Sequence, residues 1–435
     1  MGRTPGEPNM SICPYRPSGG VSKETRSPYR LAAVTSHPVQ YQAPLFRELA
    51  REAGIDLTVY YGHDAHLAHA TIDDGFGIPV AWDRPLLEGY ATKFLSRGGE
   101  AGTRRSSAYL SLVRELWREK YDAVIVSGYA TPLSLAAYVG ASLSGSPVLL
   151  RTESELLRKR APWVRFIKRV GLSIIVARTT AFLSIGQANR KFLSYYGADD
   201  RAIFETPYCV DNEFFLESRS CLSGQRRELK ERLGLSDDLP VVVFCGKFIE
   251  RKRPLDLVTA FVRLQSAGVH ANLLLIGEGP LRLEIEQAVA SHGLEHVVVV
   301  GFRNQTELPE YYACGDIFVL PSAFDTWGLV VNEAMLFSMP VIATDMVGSS
   351  QDLIEDGVTG FVYPVGDLDR LACLIKMLVC DPARREAMGL AAERRVRAFS
   401  YEACKIGISR ALAAVGRKGD RKGLQQERAP TLGDV

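Results

Sequence analysis

Between residues 29 and 211 the chain alternates short apolar runs with amphipathic stretches: "YRLAAVTS", "IDLTVYYG", "YDAVIVSGY", "SPVLLRT", "TTAFLSIG" and "AIFETPY". Runs of this length, rich in Val, Ile and Leu and separated by helical patterns, predict strands buried on both faces, hence a parallel sheet. The second half repeats the grammar with "VVVFCGKF", "ANLLLIGEG", "HVVVVGF", "DIFVLPS", "PVIATD" and "GFVYPV". The expected fold is therefore α/β: two doubly wound, Rossmann-like domains facing a cleft, with ligands at the carboxyl ends of the strands. The polar stretch "LESRSCLSGQRRELKERLGLSDDLP" separates the two halves. We expect a disordered tail at 1–28, a first domain at 29–213, a linker region at 214–239 and a second domain at 240–398. A helix at 399–416 is expected to pack back across both domains, followed by a mobile tail at 417–435.

Composition fits that division. A chain of 435 residues with 46% hydrophobic content is too long for one ordinary core and suits two. Its 52 Lys and Arg against 50 Asp and Glu give a net charge of +2, too balanced to indicate nucleic-acid binding. The eight cysteines, Cys13, Cys209, Cys221, Cys245, Cys314, Cys373, Cys380 and Cys404, never fall in C-x-x-C spacing. They read as reduced thiols of a cytoplasmic protein, with neither a zinc site nor a disulfide framework. The start of the chain has no apolar signal region, and no apolar stretch approaches the roughly 20 residues of a membrane span.

The stretch "SAFDTWGLVVNEAM" holds two carboxylates, Asp325 and Glu333, around an aromatic-glycine step and an apolar run. With "DIFVLPS" as a strand, Asp325 lies in the loop at its carboxyl end. Gly328 permits the turn that opens a helix from Leu329, placing Glu333 about one turn inside. The amides of Gly328, Leu329 and Val330 then point between the two acids, an arrangement suited to phosphate. A phosphate core flanked by hydroxyls describes a nucleotide diphosphate sugar. The plain alternative is that Asp325 caps the helix and Glu333 is solvated.

This segment resembles the retaining glycosyltransferases of family four, two-domain enzymes of the GT-B fold. Their motif P-S-x-x-E-x-F-G-x-x-x-x-E-A-M stands here as "PSAFDTWGLVVNEAM", with Asp325 in place of Glu and Trp327 in place of Phe. The resemblance implies that Glu333 holds the donor ribose and Asp325 the transferred sugar. It also matches Lys247 and Lys252, in "CGKFIERKRPLDLVTAF", to the cations that neutralise the donor diphosphate. In isolation the same basic turn would read as a solvated one.

In the first half, His37 in "VTSHPVQYQAPLFRELA" ends a strand where relatives often carry a glycine-rich loop, and is a candidate for sugar or diphosphate. A structural histidine bonded to backbone is the alternative. Glu153 follows "SPVLLRT" where many relatives show a histidine touching the sugar; a carboxylate there accepts donor or acceptor hydroxyls but cannot donate. By the resemblance, Asp83 and Tyr90 lie where acceptor recognition is expected; a surface loop with ordinary core anchors is the equal alternative. The stretch "LLRKRAPWVRFIKRVGLSIIVAR" interleaves Arg158, Lys159, Arg160, Arg165, Lys168 and Arg169 with Trp163, Phe166 and Ile167. It suits an anionic membrane surface, or else is an amphipathic helix with a solvated basic face.

No metal-ligand constellation is present, and the D-x-D at Asp367 and Asp369 reads as helix capping. The function implied is a metal-independent retaining hexosyltransferase with no cofactor. It would take a UDP- or GDP-linked sugar to a glycan or lipid-linked acceptor in polysaccharide or glycoconjugate synthesis, from the cytoplasm or the inner face of the membrane. The rivals are a non-hydrolysing nucleotide-sugar epimerase and a catalytically silent sugar-nucleotide-binding partner.

Overall fold

The computed structural model describes residues 27–64, 71–73, 75–96, 103–157 and 162–416. The expected C-terminal tail, nearly all of the expected N-terminal tail, and Arg158, Lys159 and Arg160 lie outside them. The strands of the first half are β1 (Tyr29–Thr35), β2 (Ile55–Tyr61), β3 (Thr71–Ile72), β4 (Pro79–Val80), β5 (Ala91–Phe94), β6 (Ala123–Ser127), β7 (Val148–Arg151), β8 (Ala181–Ser184) and β9 (Ile203–Glu205). All but β3 and β4 form one parallel sheet in the order β5-β2-β1-β6-β7-β8-β9. Helices α1 (Ala43–Arg51), α2 (Thr103–Glu119), α3 (Pro132–Ser144), α4 (Pro162–Ala177) and α5 (Gln187–Tyr195) cover it. Alternation along β1 divides its side chains between two cores. Leu31 and Ala33 join the cluster containing α1, while Ala32 and Val34 join the one containing α2 and α3.

The second sheet is also parallel: β10 (Val241–Cys245), β11 (Asn272–Ile276), β12 (Val297–Val300), β13 (Ile317–Leu320), β14 (Val341–Thr344) and β15 (Gly360–Tyr363), in the order β12-β11-β10-β13-β14-β15. Strands β10 and β11 are buried at every position because helices lie on both faces. In both sheets strand order reverses beside the first strand, between β1 and β6 and between β10 and β13. Loops after those strands flank a crevice at each switch point, where ligands of open α/β sheets bind.

The segment expected as a linker is structured. Helices α6 (Asn212–Cys221) and α7 (Arg226–Arg232) bury Phe215 and Leu229 in the core of the second sheet. The charges that suggested a linker are tied down. Arg219 donates to the Leu336 carbonyl (2.7 Å) and pairs with Glu393 (2.8 Å), and Arg226 pairs with Asp316 (2.6 Å). Lys230 donates to the carbonyls of Asp237 (2.7 Å) and Leu239 (3.0 Å).

The remaining helices are α8 (Pro254–Ser266), α9 (Arg282–Ser291), α10 (Leu308–Ala313), α11 (Leu329–Leu336), α12 (Ser350–Leu353), α13 (Leu368–Cys380), α14 (Pro382–Val396) and α15 (Tyr401–Val415). Helix α14 packs on the second unit, whereas α15 returns to the first and buries Cys404, Ile408, Ala411 and Leu412 against its sheet. Among the described residues no helix is long and apolar enough to cross a membrane.

Candidate functional site

The loop from β13 to α11 is fixed at both ends before any ligand is considered. The Asp325 amide donates to the Met346 carbonyl (3.1 Å), and the Asp325 carbonyl accepts from the Gly348 amide (2.9 Å), pinning the loop to the one after β14. Gly328 turns the chain into α11 at φ +86°, a left-handed conformation that a side chain disfavours. It is the N-cap residue, and no side chain caps the helix. Asp325 is thus not a helix cap. Helical geometry leaves the Leu329 and Val330 amides without intrahelical acceptors, facing the crevice end of the helix.

The Asp325 carboxylate instead accepts from the Lys252 ammonium, with each side chain only 13% exposed. The short 250–252 turn carrying Lys252 is itself docked on the loop, since the Ala323 amide donates to the Arg251 carbonyl (2.8 Å). Glu333 is not solvated either. It is buried, accepts a hydrogen bond from the Tyr312 hydroxyl (2.7 Å), and burial pushes its carboxyl up to about 7 against the pull of that bond.

Lys247, after β10, reaches across the crevice to Asp73 (2.6 Å) and lies over the Phe76 ring at 4.7 Å. Burial alone would raise the Asp73 carboxyl, but Lys247 and the amides of Phe76 and Gly75 hold it below the ordinary value. Further along the same segment, the Ala81 carbonyl accepts from Asn304 (2.8 Å) and Asp83 accepts from the Thr306 amide (3.0 Å). Asp83 thus anchors this segment to the second half, a contact of the kind the surface-loop reading expects. Tyr90 packs against the core of the first half. It hydrogen-bonds Tyr61 (2.7 Å), donates to the Leu86 carbonyl and packs edge-on against Phe46.

Glu153 accepts from the Tyr208 hydroxyl. The Tyr41 hydroxyl is raised first by burial and then by the charges of Glu153 and Asp325, so carboxylates from both halves face one ring. His37 hydrogen-bonds Ser36 (2.9 Å) and stacks on His63 with ring centres 5.2 Å apart, both in loops of the first sheet. In the basic cluster, Lys168 sits over Phe192 (4.7 Å) and Tyr196 (5.7 Å). Asp367 caps α13, as the D-x-D reading expects, while Asp369 pairs with Arg263 (2.7 Å). Among the described residues no three His, Cys, Asp or Glu side chains are grouped to hold a metal ion.

Trp327, the second departure in the motif, has a structural reason. Its indole N–H donates to Asn332 Oδ1 (2.8 Å), and the Asn332 amide donates to the Tyr208 carbonyl (3.3 Å), linking α11 to the first half. The ring lies against Gly186, where a Cβ would come within 2.4 Å of it. Tyr312, Asp73, Tyr41 and Tyr208 have no motif and are not found by sequence reasoning; each acts through a contact distant in sequence.

Residues 225–395 match the family model described as glycosyl transferases group 1, a region shorter than half of the chain. The alpha-D-kanosaminyltransferase of Streptomyces kanamyceticus is 34% identical over 166 residues, covering 38% of this chain and 42% of that protein. The N-acetyl-alpha-D-glucosaminyl L-malate synthase of Bacillus anthracis is 32% identical over 189 residues, 43% of this chain and 48% of that one. The chain thus spans about half the length of these relatives. Among solved structures, Anabaena HepE in complex with UDP-glucose superposes with a TM-score of 0.65 at 17% identity, over 89% of this chain and all of that one. The fold is that of the GT-B glycosyltransferases. Its second half carries a glycosyl transferases group 1 domain.

Proposed function

We propose that the protein is a retaining glycosyltransferase of family four that transfers a sugar from a UDP- or GDP-linked donor to a glycan or lipid-linked acceptor. The observation that carries this reading is the joining of Lys252, Asp325 and the open N-terminus of α11 at a switch point, with buried Glu333 one turn behind. Glu333 accepts hydrogen bonds from the ribose, and Asp325 accepts them from the transferred sugar. Lys252 has three donors, so it can hold Asp325 and a phosphate oxygen together. Lys247 and the amides of Gly328, Leu329 and Val330 complete the neutralisation of the leaving diphosphate. The acceptor hydroxyl attacks from the face the diphosphate leaves, and a phosphate oxygen takes its proton. His37 and Glu153 approach the sugar from the first half.

The proposed reaction uses these cations in place of a divalent ion, so turnover should survive chelation. Activity lost with chelator and restored by Mg²⁺ or Mn²⁺ would reverse that part. The relatives named above are a transferase and a synthase and lend no support to an epimerase. Thermal-shift screening of UDP- and GDP-sugars, followed by anomeric analysis of products by NMR, tests the whole reading. An isomerised donor without transfer would indicate the epimerase, and stabilisation without turnover the silent partner. No response to any nucleotide sugar would overturn it.

We further propose that the first half rests on an anionic membrane surface at the cytoplasmic side. Helices α2, α3 and α4 contribute to one cluster and expose Trp117, Leu135, Val139, Leu143, Trp163 and Ile174, and α4 also carries Lys168 and Arg169. Cosedimentation with anionic vesicles that falls with salt is expected; equal recovery with neutral vesicles, or none with either, would reject it.

A further inference from the structure

A cavity of about 770 Å³ lies where the chain passes between the two halves. That volume falls in the roughly 300–1,000 Å³ range of small-molecule sites. None of Asp325, Lys247, Lys252 or Glu333 lines it. Both crossings contribute: Pro207 from the passage between β9 and α6, and Phe399 from the passage between α14 and α15. Ile406 extends the apolar floor.

Three guanidinium groups line this cavity, one from each structural part that meets there: Arg190 of α5, Arg395 of α14 and Arg410 of α15. Their hydrogen-bonding capacity is largely unspent. Arg410 has no hydrogen bond or ion pair with any described residue. Arg190 donates one long hydrogen bond, to the Asp200 carbonyl (3.4 Å), and its carboxylate neighbours are loose, Asp200 at 3.8 Å and Glu205 at 4.0 Å, the Glu205 side chain being 83% exposed. Arg395 directs Nε and Nη2 at a single carbonyl, that of Asp352 (2.9 and 2.7 Å), and lies over Phe399 at 5.9 Å. Two acids line the cavity, Glu205 and Asp352; Asp352 has both carboxylate oxygens on the Gln187 amide (3.1 and 3.0 Å) and so is turned toward α5. Planar donors in excess of carboxylates, above an apolar floor, match a multiply charged oxyanion on an apolar body.

We propose that this cavity binds a phosphorylated small molecule, its phosphate held by Arg190, Arg395 and Arg410 and its apolar part against Pro207, Phe399 and Ile406. A ligand there touches both passages between the halves. It therefore stabilises whichever relative placement of the sheets brings the three arginines together, and acts on the crevice from outside it.

Phenyl phosphate serves as the probe, with inorganic phosphate beside it, titrated calorimetrically into the full-length chain with and without saturating UDP. One equivalent of phenyl phosphate should bind in both conditions, more tightly than inorganic phosphate. The double variant Arg190→Gln/Arg410→Gln should weaken it by about tenfold or more while UDP affinity stays unchanged. Binding that disappears with UDP, or with Lys252→Gln, would assign the probe to the crevice and overturn the proposal. So would binding that survives in the double variant, or no binding at all. Should the double variant misfold, Arg410→Gln alone decides, because that side chain makes no hydrogen bond or ion pair with any described residue. A failure of UDP itself to bind would count against the donor reading and leave the phenyl phosphate result standing.

Discussion

The Lys247 ammonium lies 2.6 Å from the Asp73 carboxylate, an ion pair that spans the crevice between the two halves of the chain. The cation assigned to the donor diphosphate is thus already occupied by an anion from the opposite side. Partly exposed pairs of this kind contribute roughly 0.2–1 kcal/mol, so Asp73→Asn should tighten UDP binding by up to about fivefold, while Lys247→Gln weakens it. Calorimetry on the two variants and their double checks this. Weaker UDP binding in Asp73→Asn would make Asp73 a partner of the nucleotide rather than its competitor.

Burial raises Glu333 from the ordinary 4.5 to about 7, which fixes the sign of two pH effects. Below pH 4.5 the carboxyl is neutral both folded and unfolded, and no penalty applies. Between 4.5 and 7 the unfolded chain ionises first, so stability falls as pH rises and levels off above 7, a loss on the order of 3 kcal/mol. Glu333→Gln should therefore be more stable than the parent at pH 8 and no more stable at pH 4. Donor affinity moves the other way, because ribose hydroxyls need the carboxylate as acceptor. Nucleotide-sugar affinity should rise from pH 6 to 8 in the parent and stay flat, and lower, in the variant. Denaturant melts and calorimetry at these pH values provide the check; a parent whose affinity is flat with pH would remove Glu333 from the ribose.

Restoring the common residue by Trp327→Phe should destabilise this protein. It leaves Asn332 Oδ1 buried without its indole donor, at a cost of about 1–3 kcal/mol. Gly186→Ala should also be damaging, since its Cβ meets the Trp327 ring at 2.4 Å. The pair should be less than additive, because a smaller ring makes room for the methyl group. Chemical denaturation of the two single variants and the double measures the coupling, and strict additivity would show that the two sites do not meet.

These residues mark how far the sequence could be read. Strands such as Val241–Cys245 are legible because burial on both faces makes them continuous apolar runs. Asp325 and Glu333 are legible because one loop and one helix turn, all local, set their relation. Trp327 is visible as a departure, but its reason lies at Gly186 and Tyr208, which only the fold brings near. Asp73 carries no signal at all, since its role depends on a contact with Lys247 across the crevice. The 214–239 segment reads as a linker region because it is polar and basic, and sequence does not show that Arg219, Arg226 and Lys230 are spent on carbonyls and carboxylates of the second unit.

Asp325 and Glu333 should fail in different ways, and the Lys252 contact sharpens the difference. Asp325 is assigned to the sugar that moves, so Asp325→Asn should reduce turnover at saturating donor by about 10–100-fold, the value of one hydrogen bond to a charged group. Its effect on UDP should be small or favourable, because UDP lacks that sugar and Lys252 is released to the phosphates. Asp325→Glu, one methylene longer, should keep substantial activity or change the preferred sugar. Glu333→Gln should instead weaken UDP binding at pH 8 by an amount comparable to the turnover loss in Asp325→Asn, since carboxylate-to-hydroxyl bonds are charge-assisted. Paired UDP affinities and saturating rates for the three variants decide the matter. If Asp325→Asn turns over like the parent while Glu333→Gln binds UDP normally, neither acid touches the donor. The Lys252–Asp325 pair would then be a brace for the loop, and Glu333 a carboxyl buried for Tyr312 alone.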